Sequence, residues 1–181
     1  MQGREVLIGV CGGIAAYKTA ALVSQLVQSG AGVQVVMTEA AGKFIGPATF
    51  EALSGRRVLR RMFDEPGCPL GPHIELAERA ELLCIAPATA NFLAKAASGL
   101  ADDLLSTLYL SFSGKVLLAP AMNCDMWEKP AVQRNVATLR DDGAAMVGPE
   151  EGWLSCRKKG FGRMAGPETI FSAIEAALGG P

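Results

Sequence analysis

The chain has 181 residues, half of them hydrophobic, and a net charge of −1. This length suits one domain with a substantial core, and the charge balance excludes the basic surface that nucleic acids and anionic membranes require. No apolar run reaches the length of a membrane span, and five cysteines, an odd number without a C-x-x-C pair, argue against a disulfide framework or a zinc site. We therefore expect one cytoplasmic domain over residues 1–181, with no metal, nucleic acid or membrane as partner.

The first predicted elements are a strand over Glu5–Cys11 and an amphipathic helix over Ile14–Ser29, ended by Gly30. Arg4 ahead of an apolar run is also a feature of signal peptides. However, Gly12-Gly13 interrupts the run, so a strand, a turn and a helix explain this region better.

The glycine pair between this strand and helix is a candidate anion site. Gly12 and Gly13 let backbone N–H groups approach an anion, and the following helix presents its positive N-terminus. The spacing is not G-x-G-x-x-G, so a mononucleotide fits better than a dinucleotide, although tight packing alone also accounts for paired glycines. Thr38 ends the second predicted strand, Val33–Met37, and its hydroxyl is the natural second contact.

The rest of the chain alternates between strands and helices. A helical or irregular segment has breaks at Gly46-Pro47 and Ser54-Gly55, and a loop is predicted over Glu65–Pro72. The remaining predicted strands are Leu82–Ala86, halted by Pro87, residues 115–119, ended by Pro120, and Ala144–Val147; the remaining predicted helices are Ile74–Arg79, Thr89–Ala97, Asp102–Ser111, about 130–140 and Pro167–Leu178. This alternation predicts an α/β fold, a doubly wound, Rossmann- or flavodoxin-like parallel sheet with its core over about 5–178. Gly148–Phe161 is predicted as an irregular flap, within a flap region of about 148–164.

The segment after the strand at 115–119 carries candidate binding residues. It follows Pro120, where the carboxyl edge of a parallel sheet opens into a ligand crevice. Asn123 offers an amide donor and acceptor, while Met122 and Met126 supply an apolar wall beside Ala121. An ordinary turn lined with core methionines is the alternative interpretation.

The run from Ala86 to Phe92 ends one predicted strand and begins a helix. Thr89, Ala90 and Asn91 would therefore lie at the same sheet edge. Thr89 also fits a purely structural role as a helix N-cap. Asp102 and Asp103 stand at a helix start, where carboxylates are usually caps.

His73 is the single histidine of the chain, so any histidine chemistry has one candidate. Its place at a loop-to-helix junction also suits a surface or capping residue. As an imidazole at the sheet edge it could bind a carboxylate or relay a proton.

Cys156 lies in a glycine-punctuated stretch. Arg157, Lys158, Lys159 and Arg163 surround it with positive charge, which favours the thiolate form. The alternative is an incidental thiol in a mobile, solvated loop.

Several motifs together resemble the flavin-dependent cysteine decarboxylases, with a similarity that covers about residues 5 to 178. Pro120-Ala-Met-Asn-Cys-Asp-Met-Trp127 resembles that family's P-x-M-N-x-x-M-W motif. The glycine pair resembles its flavin phosphate loop, and Thr89 and Asn91 match its P-A-S-A-N-T motif. His73-Ile-Glu-Leu matches H-I-x-L, and Gly162-Arg-Met164 matches the end of its substrate flap.

The resemblance implies FMN as the cofactor and a homotrimer or larger homo-oligomer, with the flavin near a subunit boundary. The implied FMN-binding residues are Gly12, Gly13, Ile14, Thr38, Thr89, Ala90, Asn91, Ala121 and Met122. The implied catalytic residues are His73, Cys156 and Asn123, and the implied substrate-binding residues are Asn123, Met126 and Arg163. The implied reaction is the oxidative decarboxylation of a phosphorylated cysteine conjugate, 4′-phosphopantothenoylcysteine, in coenzyme A synthesis.

The chain departs from the family pattern in places. Phe92 replaces a threonine, Ser155 an alanine and Arg157 a glycine, while Lys158-Lys159 stand where acidic residues are usual. Three alternatives stay open: a peptidyl-cysteine decarboxylase that stops at the enethiol and needs no Cys156, a flavin prenyltransferase on the same fold, and a non-catalytic binding subunit.

Overall fold

The computed structural model describes residues 1–63 and 71–179 and confirms the predicted fold class. Five parallel strands lie in the order β2-β1-β3-β4-β5. The strands are β1 Glu5–Val10, β2 Gly32–Met37, β3 Leu82–Ala88, β4 Lys115–Pro120, β5 Ala145–Met146, β6 Glu150–Trp153 and β7 Lys159–Arg163. The α-helices are α1 Ala16–Gln28, α2 Pro47–Ser54, α3 Pro72–Arg79, α4 Ala90–Ser98, α5 Leu104–Ser111, α6 Cys124–Trp127, α7 Pro130–Asp141 and α8 Pro167–Ala177, with a 3-10 helix over Ala40–Lys43.

Helices cover both faces of the sheet, and each face has its own apolar core. Alternate residues of β1 show the division, since successive side chains of a strand point to opposite faces. Val6 and Ile8 belong to the core beneath α1, α2 and α8, while Leu7 belongs to the core beneath α4, α5 and α7. All three are almost fully buried. A sheet covered on both faces explains why these strands are continuous apolar runs.

Two strands are longer than predicted, because proline does not end either of them. β3 continues through Pro87 to Ala88, and β4 includes Pro120. Proline lacks an N–H donor, but its carbonyl still accepts, and the residue after it still donates. Cys11 N–H donates to Pro87 O at 3.3 Å, and Ala121 N–H donates to Ala88 O at 3.0 Å. The two strands therefore carry their segments further towards the carboxyl edge of the sheet.

The segment predicted as an irregular flap is instead an antiparallel hairpin. β6 and β7 pair from Glu150 opposite Arg163 to Trp153 opposite Lys159. Glycine-rich strands give little hydrophobic alternation, so the period-2 pattern was too weak to identify them. We call residues 150–163 the flap hairpin below. The predicted loop over Glu65–Pro72 lies largely outside the described residues, and Pro72 already begins α3.

The order of the strands places a crevice at the carboxyl ends of β1 and β3. The chain leaves β1 towards β2 and returns to β3 on the other side, and doubly wound sheets bind ligands at such switch points. Over the residues that the structure describes, no helix has the length and apolar character to cross a bilayer.

Candidate functional site

A cavity of about 1290 Å³ opens at this crevice, between the carboxyl ends of β1, β3 and β4 and the flap hairpin. It is lined by every predicted site residue except His73. The predicted residues in its wall are Gly12, Gly13, Ile14, Thr38, Thr89, Ala90, Asn91, Ala121, Met122, Asn123, Met126, Cys156 and Arg163. Four segments therefore meet at one place. They are the loop at Gly12–Gly13 (the glycine loop), the turn at Thr89 before α4 (the Thr89 turn), the loop over Ala121–Asn123 (the Asn123 loop) and the turn that carries Cys156 (the Cys156 turn).

The glycine loop presents an uncapped helix N-terminus to the cavity. α1 has no side-chain cap and no acidic residue in its first turn, so no side chain neutralises its positive dipole end, although Ala16 and Lys18 N–H already donate to Gly13 O and Ala15 O. Gly12 approaches the chain closely: a Cβ there would lie 2.5 Å from Ala40 Cβ and 2.8 Å from its carbonyl carbon. A Cβ on Gly13 would meet only ordinary contacts, the nearest at 3.7 Å to Thr89 Cγ2. The missing side chain of Gly12 lets the loop pack, and that of Gly13 leaves cavity space free.

Two threonines of the cavity wall have structural hydrogen bonds of their own. The Thr38 hydroxyl accepts from Ala41 N–H at 3.2 Å, at the start of the 3-10 helix. The Thr89 hydroxyl accepts from Phe92 N–H at 3.3 Å, which confirms the interpretation of Thr89 as the N-cap of α4. These hydrogen bonds hold both side chains at the edge of the cavity, and contact with a ligand stays a prediction for each.

The structure also accounts for Phe92 and for the paired aspartates. The ring of Phe92 is buried and meets Tyr109 edge-on, with 5.9 Å between the ring centroids, so it serves the core. Asp103 caps α5 and accepts from Ser106 N–H at 2.8 Å, as predicted for a helix-start carboxylate. Burial opposes the charge of Lys95, but its ion pairs with Asp102 and Asp103, at 2.6 and 2.7 Å, outweigh burial and raise its pKa.

The Asn123 loop fixes the orientation of its amide. Asn123 is the N-cap of α6, and its Oδ1 accepts from Asp125 N–H at 2.7 Å. The carbonyl oxygen is therefore engaged, which leaves the Nδ2 group as a donor for a ligand carboxylate. Met126 lies in the same wall, and 45% of its surface is exposed, so it is not part of the buried core.

The flap hairpin is joined to the Asn123 loop through its glycines, a role that the sequence analysis missed. Met122 N–H donates to Gly162 O at 2.9 Å. Gly162 has φ +135°, and a Cβ on it would collide with Met122 O. A Cβ on Gly160 would lie 3.0 Å from Cys124 Cβ. The alternating glycines of β7 were the available signal, because glycine inside a strand often marks a close backbone approach.

Cys156 lies on a tight turn at the tip of the flap hairpin. Leu154 is buried, and its N–H donates to Lys158 O, while Arg157 N–H donates to Leu154 O, both at 2.9 Å. Arg157 has φ +62°, the left-handed conformation that glycine adopts more easily, which explains why glycine suits this position in the family.

The positive charge that was predicted around Cys156 is partly neutralised. Lys158 forms an ion pair with Asp125 at 2.7 Å, and Arg163 forms one with Glu150 at 2.9 Å. The flap hairpin is therefore less basic towards a ligand than its sequence suggests.

We expect alkylation to distinguish the cysteines sharply. Burial raises the pKa of the Cys11 and Cys84 thiols to about 12, whereas Cys156 is exposed. Both buried thiols stay protonated below that pKa, so at about pH 8 iodoacetamide should modify Cys156 on the order of 100-fold faster than either. Peptide mapping by mass spectrometry measures this. Equal labelling of Cys11 and Cys156 in the folded protein would contradict the placement of both side chains.

His73 does not line the cavity of its own chain. It lies in the first turn of α3, which packs against α5. Its Nδ1 atom is buried and has no hydrogen-bond partner within the described part of the chain. A buried ring nitrogen without a partner is costly.

Lys18 is a cavity residue that the sequence analysis did not select. It lies on α1, one turn beyond the glycine loop, and its Nζ donates to Met164 O at 3.2 Å. Burial lowers its pKa, and the nearby charge of Arg163 acts in the same direction. A lysine on an amphipathic helix is normally solvated, so the sequence held no signal for it.

Comparison with known proteins adds the following similarities. The model of the family described as Flavoprotein matches residues 1–179. The chain is 46% identical over 175 residues to the Coenzyme A biosynthesis bifunctional protein CoaBC of Bacillus subtilis (strain 168), covering 97% of this chain and 43% of that protein. It is 42% identical over 174 residues to the CoaBC protein of Haemophilus influenzae, covering 96% of this chain and 44% of that protein. The chain thus spans less than half the length of these relatives.

Solved structures show the same fold. The FMN-dependent cysteine decarboxylase SpaF superimposes with a TM-score of 0.83 at 38% identity, covering 97% of this chain and 98% of that chain. A PPC decarboxylase variant in complex with pantothenoylaminoethenethiol superimposes with a TM-score of 0.85 at 29% identity, with the same coverage.

Proposed function

The chain belongs to the Flavoprotein family, and from that membership we propose that it binds FMN and catalyses oxidative decarboxylation of 4′-phosphopantothenoylcysteine to 4′-phosphopantetheine in coenzyme A synthesis. One observation carries the proposal: the glycine loop, the Thr89 turn, the Asn123 loop and Cys156 line one cavity. The names of the relatives support both the cofactor and the substrate class.

The residues of the cavity fit FMN. The uncapped N-terminus of α1 and the open space at Gly13 suit a phosphate group, with Gly12, Ile14 and Thr38 around it. The apolar side chains of the wall suit the isoalloxazine ring. The residues assigned to the ring are Thr89, Ala90, Asn91, Ala121 and Met122.

Bound FMN would supply the two-electron redox chemistry that the β-carbon of the substrate cysteine requires. The chain binds, orients and moves protons. Asn123 Nδ2 donates to the carboxylate of the substrate, Met126 packs against its carbon chain, and Arg163 lies at the cavity wall with its charge shared by Glu150. The thiol of Cys156 donates the proton that completes reduction of the enethiol.

His73 completes the grip on the substrate from a second copy of the chain, in a homotrimer or larger homo-oligomer. This explains why its imidazole is absent from the cavity wall of its own chain. A closed symmetric ring offers each cavity the same neighbouring surface.

Mixed oligomers test this arrangement. His73→Asn and Cys156→Ser chains should each fail to form phosphopantetheine alone, but mixed trimers should recover roughly a third of wild-type activity, because each mixed trimer keeps one of its three sites intact. Tandem affinity tags isolate the mixed oligomers for assay. The control pairs Asn123→Ala with Cys156→Ser, two residues of one cavity, and should restore nothing. Equal results from both pairs would place His73 and Cys156 in the same chain's site.

Product analysis tests the reaction itself. FMN-loaded protein is incubated with phosphopantothenoylcysteine or with a peptide that ends in cysteine, and the products are identified by mass spectrometry. We expect loss of CO₂ alone from the first substrate, which signals the full cycle. Loss of CO₂ and two hydrogens from the peptide, without any phosphopantetheine, would make the protein a peptidyl-cysteine decarboxylase.

A further inference from the structure

Three contacts join the flap hairpin to the loop and helix that follow β4. Met122 N–H donates to Gly162 O at 2.9 Å, Cys124 packs beside Gly160, and Asp125 pairs with Lys158 at 2.7 Å. The first two contacts hold the backbone of β7. The third holds the residue immediately before β7, where the turn that carries Cys156 ends.

The Cys156 turn is held by a buried side chain, Leu154, at its start and by a charged side chain, Lys158, at its end. Leu154 is 7% exposed and holds the entry to the turn, whereas Ser155, Cys156 and Arg157 are exposed. On the exit side, the Lys158 ammonium reaches across to Asp125, two residues beyond Asn123. The carboxylate that it contacts belongs to the residue whose N–H is held by Asn123 Oδ1. One ion pair therefore links the proposed proton donor to the proposed carboxylate-binding amide.

We propose that Asp125 and Lys158 form an electrostatic latch that holds the Cys156 turn over the Asn123 loop. Both are positioning residues for the decarboxylation, and the inference rests on the proposed function. The hydrogen bond between the two side chains lowers the pKa of Asp125 and raises the pKa of Lys158, so both groups are charged near neutral pH.

The latch is exposed, which sets the size of its effect. Its two side chains have relative exposures of 57% and 62%, and exposed ion pairs are screened by salt. We therefore expect the loss of this ion pair to change the rate of local opening about two- to five-fold, without unfolding the protein. Its signature is sensitivity to ionic strength, which a merely structural contact would not show.

Limited proteolysis measures the latch without relying on activity. Trypsin cuts after the basic residues of the turn, and its rate reports local opening. Asp125→Asn in the FMN-loaded protein should be cut after Arg157 or Lys159 about two- to five-fold faster than wild type in low salt, with the difference shrinking in about 1 M salt. Glu128→Gln removes the same charge from the same segment but not from the latch, and should match wild type. Equal cleavage of the Asp125→Asn and Glu128→Gln proteins would overturn the latch.

Charge exchange supplies the functional readout. Asp125→Lys should raise KM or lower kcat for phosphopantothenoylcysteine, and adding Lys158→Asp should recover most of the loss. No recovery in the double variant would also count against the latch. If wild type shows no turnover while trypsin still distinguishes Asp125→Asn from its control, the proposed function fails and the latch stands.

Discussion

Replacing Cys156 with serine is expected to lower the rate of phosphopantetheine formation by about 10²- to 10⁴-fold. Serine has nearly the same shape, but its hydroxyl is a much weaker acid than a thiol, so the final protonation fails. The earlier steps do not need this group, and the enethiol should therefore accumulate. Cys156 is exposed on its turn, so the change should leave stability and FMN binding intact. Rapid quenching followed by mass spectrometry measures both products.

The adjacent Ser155→Ala protein is the matched control. Ser155 is exposed on the same turn and has no assigned role, so the variant should form phosphopantetheine at the wild-type rate. A Cys156→Ser protein that also forms phosphopantetheine at the wild-type rate would remove Cys156 from the chemistry. It would leave the assignment of FMN untouched.

Replacing Gly12 with alanine is expected to weaken FMN binding by roughly ten- to a hundredfold. The added Cβ would lie 2.5 Å from Ala40 Cβ and 2.8 Å from the Ala40 carbonyl carbon, and backbone cannot move aside as a flexible side chain can. Overpacking of this kind costs about 1–3 kcal/mol, which the loop can relieve only by shifting away from the phosphate position. Quenching of flavin fluorescence during titration of the apoprotein measures the dissociation constant.

Gly46→Ala tests whether the effect is local. Gly46 lies in the segment that follows Ala40, but a Cβ there meets nothing within 4 Å, and its φ of −76° suits any residue. FMN should bind this variant as it binds wild type. If Gly12→Ala and Gly46→Ala retain equal affinity, the glycine loop does not hold the phosphate.

The strands of the sheet could be predicted from the sequence because they are buried on both faces. Val33–Met37 and Leu82–Ala86 are apolar runs bounded by turn residues, and both became strands of the parallel sheet. Their ends were harder to predict. Proline suggests a strand end at residues 87 and 120, but there it removes only one donor, and the Pro87 carbonyl still accepts from Cys11 N–H.

The candidate site was predictable where its residues follow parallel strands. Gly12, Thr89 and Asn123 each follow a parallel strand, and the carboxyl ends of such strands meet at one edge. His73 lies in the first turn of the helix that leads into β3 and was therefore expected at the same edge, but it does not line the cavity. Gly162 was missed because its φ of +135° and its contact with Met122 arise only when the flap hairpin is formed.

A crystal structure of the protein with FMN tests the central claim most directly. The account predicts one FMN per chain, with its phosphate at Gly12–Gly13 against the start of α1 and its ring between the Thr89 turn and the Asn123 loop, within reach of Cys156. Density for FMN elsewhere on the chain, or none at saturating FMN, would contradict it.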